Sequence, residues 1–494
     1  MKAIGFNNFR KFENFPKIPM GNITIFVGGN NSGKSTTVKA IISVLSFLRS
    51  ARFYASGNDK QFKNVNFYFN QNPYAHIGNF VRAKCNKNDN KEMSFEIQIE
   101  NFNLKLYLNG EGCDNNATYA KVERIILIDT SSLFEFDINF KEDSIIFTFN
   151  KNTQVFENEE EYQSFIEKIN KKEEKGYTTD RLKQAFYYKY PIIDETYVFK
   201  TTLSDIYKKR SMIGGPLISG IIFNTSYMFL EETKEQNDEN KIIERNKILR
   251  NYMFRLSSNL DNLFWYNSLI EYIYAHSASQ TILYNSTDNN YLSKTVHEFA
   301  ELREDKDIAA FNFVRKWMKI FSIGQNFKLE SIGGEAHTFD IIDFDDKCAP
   351  LADKGMGTIQ LMILLLRIAI IIKNRDNSRR KKPVTVIVEE PELNLHPQKQ
   401  SQLIEFFTNV SDEYKIKFII ETHSEYLVRR SQGIVASKKY KDQETLEREC
   451  PYKVYYFPEN DIPYKMNYRT DGKFSNKFGT GFFDEATRLS FDLF

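Results

Sequence analysis

The sequence predicts an α/β fold in which a parallel core sheet stands beside an antiparallel sheet, with a mostly helical segment inserted between two lobes. Three observations carry this. First, the β-branched run “GNITIFV” leads through a glycine-rich turn into “TTVKAIISVLSFLRS”, which is apolar at helical spacing. Second, the chain from about 93 to 150 alternates apolar and polar residues with period two, the pattern of strands with one buried face. Third, “VTVIV” is almost wholly apolar and β-branched, as expected of a strand buried on both faces of a parallel sheet.

In order along the chain, residues 1–50 read as strand, turn, strand, glycine-rich turn and helix. “MSFEIQIE”, “NLKLYL”, “KVERIILID”, “LFEFDINF” and “DSIIFTFN” follow, some of them separated by turn-like stretches such as “NGEGCDNN”, and predict an antiparallel sheet. From about 152 to 290 the chain is charged, with apolar residues recurring at three and four but no sustained heptad. This predicts packed helices, through “NKIIERNKILRNYMFRLSSNLDNLFWYNSLIEYIYA”. Strands return at “FKLESI” and “HTFDIIDF”, followed by a long apolar helix, “VTVIVEEPE” and “KIKFIIETHS”. The expected division is 1–150, 151–290 and 291–494.

At 494 residues and 41% hydrophobic content the chain can form several cores. Its net charge of +2 neither announces nor excludes a nucleic-acid partner. Cys85, Cys113, Cys348 and Cys450 show no C-x-x-C spacing and no histidine at metal-ligand spacing, so they read as reduced structural thiols. “MKAIGFNNFRKF” has no signal-peptide apolar region, and Ile359 to Ile372 reads as a buried helix, too short and interrupted to span a membrane. The expectation is a cytoplasmic protein without a membrane partner. The basic run Lys373 to Pro383 reads as a solvated loop.

The glycine-rich turn is the strongest chemical signal. Gly28, four residues, then Gly33-Lys34-Ser35 fits the P-loop pattern that cradles nucleotide phosphates. Backbone N–H groups of Asn30, Asn31, Ser32, Gly33 and Thr36, in the turn and the first helical turn, are candidates to face phosphate oxygens. Glycine admits the close approach that a side chain would block. Lys34 is placed to reach the β- and γ-phosphates of ATP, and the Ser35 hydroxyl to ligate Mg²⁺.

Three further stretches complete the expectation. “VTVIV” ends in Glu389 and Glu390, at the strand end where ligands bind in such sheets. One acid there can hold Mg²⁺ through water and its neighbour can orient the attacking water. “FIIETHSEYLV” places His423 at another strand end, where its imidazole can donate to a γ-phosphate. In “LADKGMGTIQLMILLLRIAI”, Asp353, Gly355 and Gly357 precede a long helix whose free N–H groups suit an anion. With a P-loop already present, that helix start suits the γ-phosphate held by a second copy.

These stretches, in this order, resemble the ABC-type ATPase heads of the OLD-like family and its anti-phage relatives, among them the ATPase subunits of Septu and PARIS. The likeness covers about 1–150 and 290–494. It implies Glu389 in the Walker B position on the metal side, Glu390 as the catalytic glutamate and His423 as the switch histidine. It also implies Gly355 and Gly357 as a signature acting in trans, and Asn394 to His396 as the D-loop. “GFNNFRKFENF” looks like the family's first hairpin, which puts Arg10 and Phe12 near the adenine, and “FNQNPYAHIGNF” offers Gln71 as the Q-loop metal ligand. “FGTGFFDEA” is similar to a C-terminal segment of such ATPases. The signature reads “KGMGT” rather than “LSGGQ”.

The resemblance implies a homo-oligomer, a dimer or a higher even-numbered assembly, that hydrolyses ATP slowly at head-to-head interfaces. It implies a separate effector, such as a nuclease, and a nucleic-acid or phage-protein trigger. “EREC”, “PENDIP” and “YRTDGKF” form no acidic cluster of the Toprim kind, so the chain itself is not expected to be a nuclease. A DNA-repair or chromosome-associated SMC-like ATPase is the alternative, disfavoured by the lack of long heptads. An ATP-binding scaffold without turnover is disfavoured by the two glutamates. Trp265, Tyr266, Tyr272 and Tyr274 suit either a helical core or a partner-docking surface.

Overall fold

The protein is seen in a computed structural model that describes residues 1–53, 65–72, 74–114, 116–129, 134–151, 167, 195–209, 215–235, 240–266, 269–273, 282–285, 287–288, 290–376, 384–479 and 482–483. The segment 152–194 read as helical lies outside them apart from Glu167, as do Tyr274, the side chains of Trp265 and Tyr266, residues 377–383 of the basic run, and most of the C-terminal segment.

The chain forms two compact units, Met1–Pro19 with Thr36–Asn267 and Met20–Ser35 with Ser268–Phe494. This grouping differs from the three segments read from the sequence: the strand and turn of the P-loop join the C-terminal unit, and the helices between 203 and 260 join the antiparallel sheet.

Among the described residues the first unit is built on a nine-stranded antiparallel sheet, in which the short strand Asn66–Tyr68 pairs with Tyr119–Asp129 off the main path. It runs from Tyr197–Thr201 through Ser144–Phe149, Phe134–Asn139, Tyr119–Asp129, Phe102–Asn109 and Glu92–Ile99 to the hairpin Ala3–Phe9 and Phe12–Pro19. Period-two patterning does what it predicts: in Glu92–Ile99 every second residue is buried. Phenylalanines fill the buried face, with Phe6 stacked on Phe15 at 4.3 Å and Phe147 on Phe149 at 4.5 Å. Leu217–Glu235 and Asn240–Leu260 form a helix pair in this unit.

The second unit holds the parallel sheet. Its strands are β1 (Ile23–Gly28), β2 (Leu269–Ile273), β3 (Val384–Glu389), β4 (Ile416–Thr422), β5 (Tyr452–Phe457) and β6 (Tyr464–Met466), in the spatial order β2-β3-β4-β1-β5-β6. All pairs are parallel except β5 with β6. Every residue of β1 is buried, as is all of β3 but its last. Helix α1 (Lys34–Ser50) follows β1 and belongs to the first unit from Thr36 on; within the second unit α2 (Met356–Asp376) precedes β3, α3 (Pro397–Tyr414) links β3 to β4, and α4 (Glu425–Ser437) follows β4.

Two readings are corrected here. “LIEYI” is strand β2, not the end of a helix: five residues with one charge among them fit either period, and the pairing with distant β3 decides. The Ile359 to Ile372 run belongs to a helix of 21 residues, long and apolar enough to cross a membrane by length and composition; 67% of its apolar stretch is buried inside the protein. Its all-round apolarity reflects that burial.

Candidate nucleotide site

The C-terminal ends of β1, β3 and β4 lie side by side, and each ends in a residue with chemistry to offer. After β1 the chain turns at Asn31 (φ +58°) and Gly33 (φ +106°) before entering α1. Gly28 is sterically required, because a Cβ there would lie 2.4 Å from the Phe457 carbonyl oxygen on β5. Asn30 and Asn31 are exposed, whereas Ser32 is buried and its hydroxyl has no partner. Thr36, in the first turn of α1, is buried.

Lys34 is only 3% exposed. Its ammonium folds back over the loop, donating to the carbonyls of Gly28 (3.1 Å) and Gly29 (2.9 Å) and lying 3.1 Å from His423 Nε2. Burial first, then Lys34, lowers the His423 pKa to about 4. The imidazole is therefore neutral at pH 7. It accepts from the lysine through Nε2, which assigns its proton to Nδ1. The Glu390 carboxylate, 3.6 Å from the same nitrogen, is accordingly a polar neighbour rather than an ion-pair partner.

Three carboxylates approach this cradle. Glu389 at the end of β3 accepts a 2.6 Å hydrogen bond from the Tyr272 hydroxyl on β2. Glu390 adopts φ +41°, a left-handed conformation costly for a residue with a side chain, and its N–H donates to the Glu421 carbonyl (2.8 Å). Glu421 on β4 is 3% exposed and accepts 2.6 Å from Ser35 Oγ, while its Oε2 has no partner. Burial, reinforced by Glu389 and Glu390 and opposed by Ser35 and Lys34, raises its pKa to about 7.

The following residues brace these groups. The His423 N–H donates to buried Glu392 (2.7 Å), tying the loop after β4 to the loop after β3. Ser424 caps α4 by accepting from the Leu427 N–H and donates its own hydroxyl proton to Gln400 (2.6 Å). Asn394 is left-handed (φ +61°), and His396 caps α3.

At the start of α2, Gly355 and Gly357 differ. A Cβ on Gly357 would lie 2.4 Å from the Asn394 carbonyl oxygen, so this glycine lets the helix start approach the loop after β3 within one chain. Gly355 is exposed and has open space where a Cβ would project. Asp353 is exposed in the 3₁₀ turn before them.

The structure thus gathers Gly28, Lys34, Ser35, Glu389, Glu390 and His423 in the second unit. Arg10 and Gln71 belong to the first unit. Arg10 is left-handed (φ +53°), its N–H donates to Ala83, and burial and Arg82 lower its pKa. Gln71 accepts from Ser50 Oγ, in the last turn of α1, at 2.9 Å. Sequence reasoning gave no role to Glu421 or Glu392, and it read Tyr272 as part of a helical core or docking surface, whereas Tyr272 lies on strand β2 and bonds Glu389. The signal that marked Glu389, an acid ending an apolar strand, marks Glu421 equally.

The donors around Ser35 are oxygens, and a buried carboxylate oxygen beside it lacks a partner, which suits Mg²⁺. Among the described residues no three His, Cys, Asp or Glu side chains are grouped to hold a metal ion. A nucleotide-bound Mg²⁺ needs no such group, since one or two protein ligands, phosphates and water complete its shell.

No curated protein matches the sequence. Among solved structures, the Smc head domain with an extended coiled coil bound to the C-terminal domain of ScpA, from Pyrococcus furiosus, is 11% identical at a TM-score of 0.35, covering 100% of this chain and 98% of that one. The SMC head domain from Thermotoga maritima is 9% identical at 0.32, covering 95% and 98%. Overlaps this low leave the fold resting on the sheet order and the P-loop. The family described as AAA ATPase domain (AAA_15) matches residues 1–428. That match takes in most of the chain and both halves of the cradle, and the protein belongs to the AAA ATPase domain family.

Proposed function

We propose that the chain is an ABC-type ATP hydrolase that completes its site with a second copy, and that it serves as the sensor and regulatory core of a bacterial anti-phage complex with a separate effector such as a nuclease. One observation carries the enzymatic part: Lys34, Ser35, Glu390, Glu421 and His423 converge at the ends of three adjacent strands. Lys34 and the N–H groups at the start of α1 bind phosphate, Ser35 faces Mg²⁺, and Glu390 beside neutral His423 orients water. Bound Mg²⁺ supplies charge neutralisation on the phosphates. The anti-phage role rests on the motif order of the sequence.

Exposed Gly355, at the N-terminus of a 21-residue helix, supports the two-copy site. Specific ATPase activity is expected to rise with protein concentration in the micromolar range. Activity that is constant in a strictly monomeric sample would overturn the shared site. Gly355→Trp projects into open space, so it should leave the melting temperature and ATP affinity within error yet end hydrolysis. Gly357→Trp, by contrast, meets the Asn394 carbonyl and should destabilise the protein by about 1–3 kcal/mol, read in denaturant unfolding. If Gly355→Trp hydrolyses ATP normally, α2 does not face the partner's phosphate.

The effector is placed on another protein. The isolated chain with ATP and Mg²⁺ or Mn²⁺ is expected to leave plasmid and linear DNA intact. Cutting that survives both Lys34→Ala and Glu390→Gln would show a second active centre in this chain.

A further inference from the structure

We propose that Tyr272 on β2 is a positioning residue for the nucleotide site, its hydroxyl holding the Glu389 carboxylate in place on the metal side. This rests on the reading of the P-loop as an ATP·Mg²⁺ site and adds a residue that acts on it through Glu389. The need for such a residue is local. Glu389 is the last residue of β3, and burial ends with it: Val384 to Val388 are buried and Glu389 is half-buried. Packing therefore does not fix its side chain, whose terminal torsion is broad. β2 supplies the fixing group. Tyr272 lies opposite Ile387, so Glu389, two residues on, shares its face of the sheet. The Tyr272 hydroxyl donates to Glu389 Oε2 at 2.6 Å, the separation of a hydroxyl bonded to a carboxylate. One carboxylate oxygen is thereby engaged from the β2 side, and the other serves the water shell of the metal.

Tyr272 is itself held. β2 is the outermost strand of its sheet among the described residues, paired through β3 alone. Its backbone is braced from elsewhere: the Tyr291 hydroxyl donates to the Tyr272 carbonyl at 3.2 Å. The preceding residue, Glu271, accepts from Arg367 of α2 at 3.1 Å. Arg367 also bonds Glu298 and lies over the Tyr291 ring, 5.4 Å from its centre. The strand that carries the tyrosine is thus tied to the helix that begins at Gly355 and Gly357, and these ties do not use the Tyr272 hydroxyl. The hydroxyl is left to Glu389.

The test compares the affinity of the full-length protein for a fluorescent ATP analogue in EDTA and in Mg²⁺, with thermal melts to confirm folding. Wild type is expected to bind in both, more tightly with the metal. Tyr272→Phe keeps the ring and the backbone contacts. It should match wild type in EDTA within about twofold and lose roughly 10- to 100-fold of the gain from Mg²⁺, the range seen when a group that orients a metal ligand is removed. A tyrosine that only packs would instead weaken binding equally in both conditions. Glu389→Gln should lose at least as much of the gain. Adding Tyr272→Phe to it should cost no more than about twofold further, because the hydroxyl acts through the carboxylate. A gain kept in Tyr272→Phe, a gain kept in Glu389→Gln, or losses that multiply in the double variant would each overturn the positioning role and leave the ATP site intact. Wild-type protein that binds no analogue in either condition would overturn the ATP site itself and the role with it.

Discussion

Lys34→Ala is expected to remove ATP binding, with an affinity loss of about 100- to 10,000-fold. The estimate follows from two charge-assisted hydrogen bonds to phosphate, each worth about 1.5–3 kcal/mol, at 1.4 kcal/mol per tenfold. The lysine is already positioned. It lies buried over the loop and spends its donors on two loop carbonyls and His423. Nucleotide binding then exchanges those partners for phosphate oxygens, and the exchange frees His423 Nε2 from the lysine. Isothermal titration with ATP, alongside thermal melts to confirm folding, reads the outcome. Near-normal affinity in a folded Lys34→Ala protein would show that this loop is not the phosphate site.

Much of this was legible from local pattern. A P-loop is a contiguous device, so its strand, glycines, lysine and helix are written side by side from Ile23 to Ser50. The antiparallel strands from Glu92 to Phe149 were legible because each has one buried face. What local pattern could not give was adjacency. β3 and β4 look alike in sequence, both largely apolar with a glutamate at or next to the last position, and only the sheet order shows that β4 borders β1. That is why Ser35 pairs with Glu421. β2 was missed for the same reason: five residues carry too little periodicity, and its strand partner is far along the chain. Gly357 was legible as important, but its immediate constraint, the Asn394 carbonyl, became visible only once the loop after β3 was folded beside α2.

Glu390→Gln is expected to lower kcat by about 100- to 10,000-fold, the usual contribution of a positioned general base, with ATP affinity within a few-fold of wild type. The substitution is nearly isosteric. Glu390 holds its place through its backbone, with φ +41° and an N–H bonded to the Glu421 carbonyl, and an amide side chain disturbs neither. Lys34 and Ser35, which bind phosphate and face the metal, keep their partners. What goes is the negative charge beside neutral His423, and with it the group that can take a proton from water. ATP would then remain bound, so any complex that needs nucleotide should accumulate, visible as a larger species in size-exclusion chromatography with ATP. Glu389→Gln is the comparison: its carboxylate faces Tyr272, and the loss in kcat should be smaller. Wild-type turnover in Glu390→Gln, with loss in Glu389→Gln, would move the water-orienting role one residue back along β3.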